Sequence, residues 1–394
     1  MVINMDRLES KLLRVDSRVQ EGYYSDRYFN RTREILQQDN HHPVVRMQYF
    51  QKNDDTCVCG IDEAIGIMKE SLGEDYKKLK VQALHDGDVV DAFETVMTVE
   101  GDYSLFPHLE TVMLGAMARR TKVATNVYRT VLEANKATDK PVLFFPARFD
   151  IYQTQAGDGY AYDVALKAAG KNGKTNGNGV STNAQGEWWG SSGLGTIPHA
   201  LIAAYEGDTV KATLKFAEHM ESDVQRIALV DYENDCVKTT LDVADAMLEK
   251  YMESGCSDRY KLFGVRLDTS GSMVDASIVH QMGQYKPTGV CEQLVENVDD
   301  ALKERASGYR EGSFENRFYS DIGIIVSGGF NAEKIKRFEE ANVPVIGYGV
   351  GSSMFSGNYD FTADIVSLQK EGEWNDNAKV GRQYRSNVRL EVAG

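Results

Sequence analysis

The chain has 394 residues, of which 42% are hydrophobic and 26% charged, and its formal net charge is -15. That length supports two domains and a sizeable core, and the composition is that of a globular protein rather than a disordered or fibrous one. The acidic balance argues against broad nucleic-acid or anionic-membrane binding, and no apolar run approaches the ~20 residues of a membrane helix.

The first stretch, MVINMDRLESKLLRVD, mixes charges and lacks a signal-peptide core, so a cytoplasmic location is expected. RLESKLLRVDSRV and IDEAIGIMKESLG carry helical periodicity, while VVRMQYFQ and AFETVMTVEG alternate as half-buried strands do. A proline-free helical pattern follows over 108–136. Cys57 and Cys59 form a C-V-C with no second pair at zinc spacing, and no metal site is predicted from the five cysteines.

Beyond residue 136 the texture changes. Short apolar runs end in polar or glycine residues: PVLFFPARFD, GVSTN, LGTIPHA, RIALVDYEN, KLFGVRLDTSG, DIGIIVSGGFN and VPVIGYGVGSS. Helical segments such as DTVKATLKFAEHM and NAEKIKRFEEAN lie between most of them. This alternation predicts a parallel α/β barrel with its functional residues where strands end. The stretch AAGKNGKTNGNG (168–179) reads as a mobile loop, either an active-site lid or a surface insertion.

DTSGS raises a competing idea. Asp268, Ser270 and Ser272 have the D-x-S-x-S spacing of a magnesium-binding adhesion module, all hard oxygen donors. Yet the turn follows at least four strand-helix units, and Arg266 shares a strand face with Asp268. A cation there suits an anionic sugar phosphate better than a bare metal ion. SGGF (327–330) and GVGSS (349–353) end the last two strands, where side-chain-free turns let backbone N–H groups approach an anion. In GTIPHAL, Pro198 suits a helix start, placing His199 at a helix N-terminus, where it could carry a phosphoryl group, orient an anion or be merely hydrogen-bonded. Asp231 and Asp268 end strands as carboxylates, and Arg148 with Arg266 makes an arginine pair suited to a multiply phosphorylated ligand.

The order of these motifs resembles the nicotinate phosphoribosyltransferases, type II phosphoribosyltransferases that also include the nicotinamide and quinolinate enzymes. The likeness runs from YYSDRYFNRT through LETVMLG, FFPARF, GVSTN, GTIPHAL, ALVD, FGVRLD and VSGGFN to GVGSS. It implies an N-terminal α/β domain (1–135), a seven-stranded irregular α/β barrel (136–355) and a C-terminal segment (356–394) returning to the first domain. It implies transfer of phosphoribosyl from phosphoribosyl pyrophosphate to nicotinate with magnesium, forming nicotinate mononucleotide, with ATP hydrolysis coupled through a phosphohistidine. On the matching positions, His199 would be that histidine and Asp231 its orienting carboxylate. Arg266 would meet the pyridine carboxylate and sugar phosphate, Asp268 the ribose, and Arg148 the pyrophosphate. Gly328, Gly329, Gly349 and Gly351, with Ser352, would hold the ribose phosphate. Phe145 would stack on the pyridine, and Tyr28 would do so from a neighbouring subunit of a homodimer or larger assembly. Thr182 stands where nicotinamide enzymes have aspartate and would favour nicotinate over nicotinamide. GTIPH would argue against quinolinate. Phe149 departs from the second arginine many nicotinate enzymes carry, and LDTSGS from the usual acidic turn.

Overall fold

A computed structural model describes residues 7–136, 139–170, 178–281 and 286–393. The chain divides into two compact units, Met1–Tyr128 with Thr154–Asn172 and Phe355–Gly394, and Arg129–Gln153 with Gly173–Met354.

The first unit is built on a six-stranded antiparallel sheet ordered Glu373–Asp376, Phe361–Lys370, Val44–Gln51, Thr95–Asp102, Lys80–Ala83 and Glu391–Val392. VVRMQYFQ forms its third strand because β-branched and aromatic residues suit a pleated surface. Within it Tyr49 is fully buried opposite Met97 on one neighbour and Ala363 on the other. The last segment therefore returns to pair with a strand more than three hundred residues upstream. Helix Ile61–Leu72 packs its apolar face into the same core. It starts at Gly60, where φ is 87° and a Cβ would stand 2.8 Å from the Ala116 carbonyl oxygen.

The expected helix in RLESKLLRVDSRV is absent. Only the single turns Ser10–Leu12 and Ser17–Val19 form. Long-range ties override the local periodicity: Arg7 bonds Asp62 at 2.6 Å and the Ala83 and Leu84 carbonyls, and Leu13 seats against Gly66. Two helices that the motif reading passed over, Arg27–Gln38 and Gln155–Ala168, also belong here.

Helix Glu110–Ala134 begins with a carboxylate that its burial controls. Burial, reinforced by Asp364 and Asp26, pushes Glu110 up to about 8. The native state therefore binds a proton that the unfolded chain releases near 4.5, and stability falls as pH rises from 4.5 to 8. Glu110→Gln should leave stability unchanged below pH 4.5 and raise the melting temperature above pH 8. Melting curves across that range check the sign.

The second unit carries an all-parallel sheet ordered Gly179–Val180, Val142–Phe144, Gly347–Val350, Gly323–Val326, Leu262–Leu267 and Arg226–Leu229. Helices including Thr209–His219, Cys236–Glu253, Glu292–Ser307 and Ala332–Glu340 connect the strands, and the curled sheet forms a partial barrel. LGTIPHA forms no strand; the residue just before it, Gly193, makes one isolated parallel bridge to Val180. Residues 171–177 of the glycine- and asparagine-rich stretch lie outside the described residues, so the lid expectation is not addressed. Among the described residues no helix is long and apolar enough to cross a membrane.

Candidate functional site

A parallel sheet delivers every strand's C-terminal end to one rim. In the second unit that rim opens into a cavity of about 590 Å³. Arg148 and Phe149 come from the turn after Val142–Phe144, His199 from the first residue of the short helix His199–Ala204, and Arg266 and Asp268 from the end of Leu262–Leu267. Gly328 and Gly329 follow Gly323–Val326, while Gly349, Gly351 and Ser352 lie on and after Gly347–Val350. Eleven of the thirteen residues singled out in the sequence meet here, counting Phe145 on the wall and Asp231, which reaches the site through His199.

The wall is cationic. The Arg266 guanidinium stands 5.9 Å from the Phe145 ring centre, and Arg148 5.5 Å from that of Phe149. Arg266 donates to the Ile197 carbonyl at 3.3 Å, and its buried Nε has no partner. Burial pushes this guanidinium below its ordinary value; Asp268 and Asp231 oppose the shift, and Arg148 adds to it. A desolvated cation beside another cation is costly without an anion between them. Bound phosphate or carboxylate would supply that anion.

His199 Nε2 faces both carboxylate oxygens of Asp231, at 3.0 and 3.1 Å. Burial pushes Asp231 above the usual carboxylate range, His199 pulls it down, and Asp268 pushes it up. Asp268 in turn accepts from Ser327 Oγ at 2.8 Å.

The glycines divide by role. Gly328 and Gly329 adopt φ of 81° and 72°, the left-handed turn an anion-binding loop uses. Gly349 and Gly351 instead make room for rings: a Cβ would stand 2.7 Å from Phe145 and 2.9 Å from Phe149.

Two of the thirteen lie elsewhere. Thr182 does not line the cavity; its hydroxyl caps helix Asn183–Gly186 in a capping box with Gln185, while its neighbour Ser181 lines the wall. Tyr28 is in the first unit, on helix Arg27–Gln38, exposed and hydrogen-bonded to Asp26 at 3.3 Å. Sequence reasoning missed Ser327 and Phe149 as parts of the wall. Ser327 stood inside the quoted SGGF, read there for its glycines, and Phe149 drew notice only as a lost arginine.

The hydroxyls of Ser270 and Ser272 bond each other at 3.0 Å. Among the described residues no group of three His, Cys, Asp or Glu stands close enough to hold a metal ion. Magnesium fits the cavity as a companion of phosphates, because it keeps its waters and needs only one or two carboxylates. Asp268 on the wall offers one, with Asp231 close enough to feel its charge.

Comparison with known proteins corrects the nicotinate reading. Residues 26–121 match the model of the quinolinate phosphoribosyl transferase N-terminal domain. The chain is similar to nicotinate-nucleotide pyrophosphorylase from Pyrococcus furiosus, with 28% identity, TM-score 0.72, and coverage of 96% of this chain and 82% of that one. The Francisella tularensis nicotinate-nucleotide pyrophosphorylase shares the fold at 15% identity, TM-score 0.51, with 91% and 99% covered. So does the human nicotinic acid phosphoribosyltransferase, at 14% identity, TM-score 0.57, with 87% and 74% covered.

The fold is that of the type II phosphoribosyltransferases. The assignment to nicotinate phosphoribosyltransferase, with nicotinate and ATP as partners and ATP as co-substrate, is overturned by the pyrophosphorylase and quinolinate-domain matches. GTIPH thus does not exclude the quinolinate type. A pyrophosphorylase, by its name, relates a nucleotide to pyrophosphate, and that exchange balances without ATP. The phosphohistidine expectation for His199 falls with it. His199 opens a helix of only six residues, too short to offer a strong anion-stabilising terminus, and its Nε2 is already held by Asp231.

Proposed function

We propose that this chain is a magnesium-using, ATP-independent phosphoribosyltransferase of the quinolinate, or nicotinate-nucleotide pyrophosphorylase, type. It joins the ribose 5-phosphate unit of phosphoribosyl pyrophosphate to the ring nitrogen of a pyridine dicarboxylate. Quinolinate and phosphoribosyl pyrophosphate become nicotinate mononucleotide, pyrophosphate and carbon dioxide. The observation that carries this reading is the pair of cavity arginines, Arg148 and Arg266, each over a phenylalanine ring. They suit a flat ring bearing acidic groups beside a phosphorylated sugar.

The chemistry asks little of a base, since a pyridine nitrogen is already nucleophilic. As the bond to pyrophosphate breaks, the anomeric carbon becomes cationic and the leaving group gains charge. Asp268 faces the cavity as the carboxylate for the ribose side, and Arg148 is the cation for the departing pyrophosphate. Arg266 takes the pyridine carboxylate. Gly328 and Gly329 present backbone N–H groups to the 5′-phosphate. His199, steadied by Asp231 through Nε2, lines the cavity wall. Magnesium, when bound with the diphosphate, supplies charge neutralisation.

The test is turnover of phosphoribosyl pyrophosphate and magnesium with quinolinate, nicotinate or nicotinamide, with and without ATP. Nicotinate mononucleotide from quinolinate, at a rate indifferent to ATP, is the expected result. Turnover of nicotinate alone that rises with ATP would overturn the proposal.

A further inference from the structure

Ser327 is 4% exposed, belongs to no expected catalytic set, and does two things at once. Its backbone N–H donates to the Leu267 carbonyl at 2.9 Å, fixing the end of one strand to its neighbour. Its hydroxyl lies 2.8 Å from Asp268 Oδ1 and 3.3 Å from that same Leu267 carbonyl. A serine has one hydroxyl proton to give. The carbonyl already has the backbone N–H, and the carboxylate is both nearer and charged, so the proton belongs to Asp268.

The next residue completes the seat. A Cβ on Gly328 would lie 3.2 Å from Asp268 Oδ1 and 3.3 Å from the Asp268 carbonyl oxygen. At a φ of 81° that position also disfavours any other residue. Ser327 therefore donates to the carboxylate while Gly328 leaves it room. One oxygen of Asp268 is committed to the protein.

Asp268 needs such a hold, because unlike groups pull on it. Arg266 and Asp231 are both close enough for their charges to interact with it. An untethered carboxylate would swing toward the guanidinium and neutralise the cation that the ligand requires.

We infer that Ser327 is a positioning residue: by holding Oδ1 of Asp268 it keeps that carboxylate on the cavity wall for the ribose and away from Arg266. The inference rests on the phosphoribosyltransferase reading above. Ser327→Ala is expected to raise KM for phosphoribosyl pyrophosphate and lower kcat/KM roughly 10- to 100-fold, with KM for the pyridine unchanged. Because Ser327 acts through Asp268, the double variant Ser327→Ala with Asp268→Asn should be no worse than Asp268→Asn alone.

Steady-state kinetics on the wild type and these three variants test it, with thermal melting as a check on folding. Ser327→Cys keeps the volume with a weaker donor, gives an intermediate loss, and serves if the alanine variant is insoluble. Additive losses in the double variant, or equal rises in both KM values, would overturn the inference. An inactive wild type would instead defeat the functional reading itself.

Discussion

Replacing Arg266 with methionine is expected to lower kcat/KM about 100- to 1,000-fold while leaving the protein at least as resistant to urea. The two halves have one cause. In the free protein, Arg266 is desolvated with one carbonyl as acceptor at 3.3 Å and an unpartnered Nε, and Arg148 adds repulsion. Among the described residues no carboxylate pairs with it within 4 Å. Such a group costs folding free energy that only an incoming anion offsets, so removing it relaxes the fold. Removing the cation from a desolvated hydrogen-bonded pair with the ligand costs roughly 2–5 kcal/mol, and the middle of that range corresponds to the expected loss of rate. Arg266→Lys should recover little, since a point charge does not reproduce the planar fork. Urea unfolding and steady-state kinetics on the same preparations decide the matter. A variant that is inactive and also much less stable would make Arg266 a structural residue.

That opposition between stability and function explains which residues could be read from sequence. Arg148, Asp231, Arg266, Asp268 and the two glycine turns are all legible because strand-helix alternation announces a parallel sheet, and such a sheet gathers strand ends. The rule acts on position along each strand, so it needs no knowledge of contacts. The rule places Ser327 at a strand end but cannot tell what its hydroxyl holds, because that partner lies fifty-nine residues away. Thr182 shows a different limit. Its local sequence, T-N-A-Q, is itself a capping box, in which the hydroxyl oxygen accepts from the Gln185 N–H, and the order of motifs does not register that local role. The same logic accounts for the N-terminal turns, where ties from Arg7 to Asp62 outcompete helical periodicity. The distinction between an ATP-coupled enzyme and a pyrophosphorylase escapes the motifs altogether. Glycine turns and arginines answer to the phosphoribosyl group, which is common to both, and not to the co-substrate.

The largest effect on stability is expected far from the cavity residues in sequence, at Arg120. Arg120 is 8% exposed and grips Glu63 through Nε at 2.7 Å and a second nitrogen at 3.2 Å. A further nitrogen reaches Asp158 at 2.9 Å, and Arg119 holds the same carboxylate at 2.9 and 2.7 Å. The cluster ties helices Ile61–Leu72, Glu110–Ala134 and Gln155–Ala168 within the first unit. Gly157 makes the approach possible, since a Cβ there would stand 2.0 Å from the guanidinium carbon. Arg120→Met removes one charge and strands Glu63, whereas Asp158 keeps Arg119. Breaking a buried pair from one side costs roughly 3–5 kcal/mol, because the surviving charge stays desolvated. Adding Glu63→Gln should therefore restore much of the loss, although it deletes a second member of the network. Urea midpoints for the single and double variants measure this. If the double variant is no more stable than Arg120→Met, the cost lies in packing around the arginine stem and not in the stranded charge.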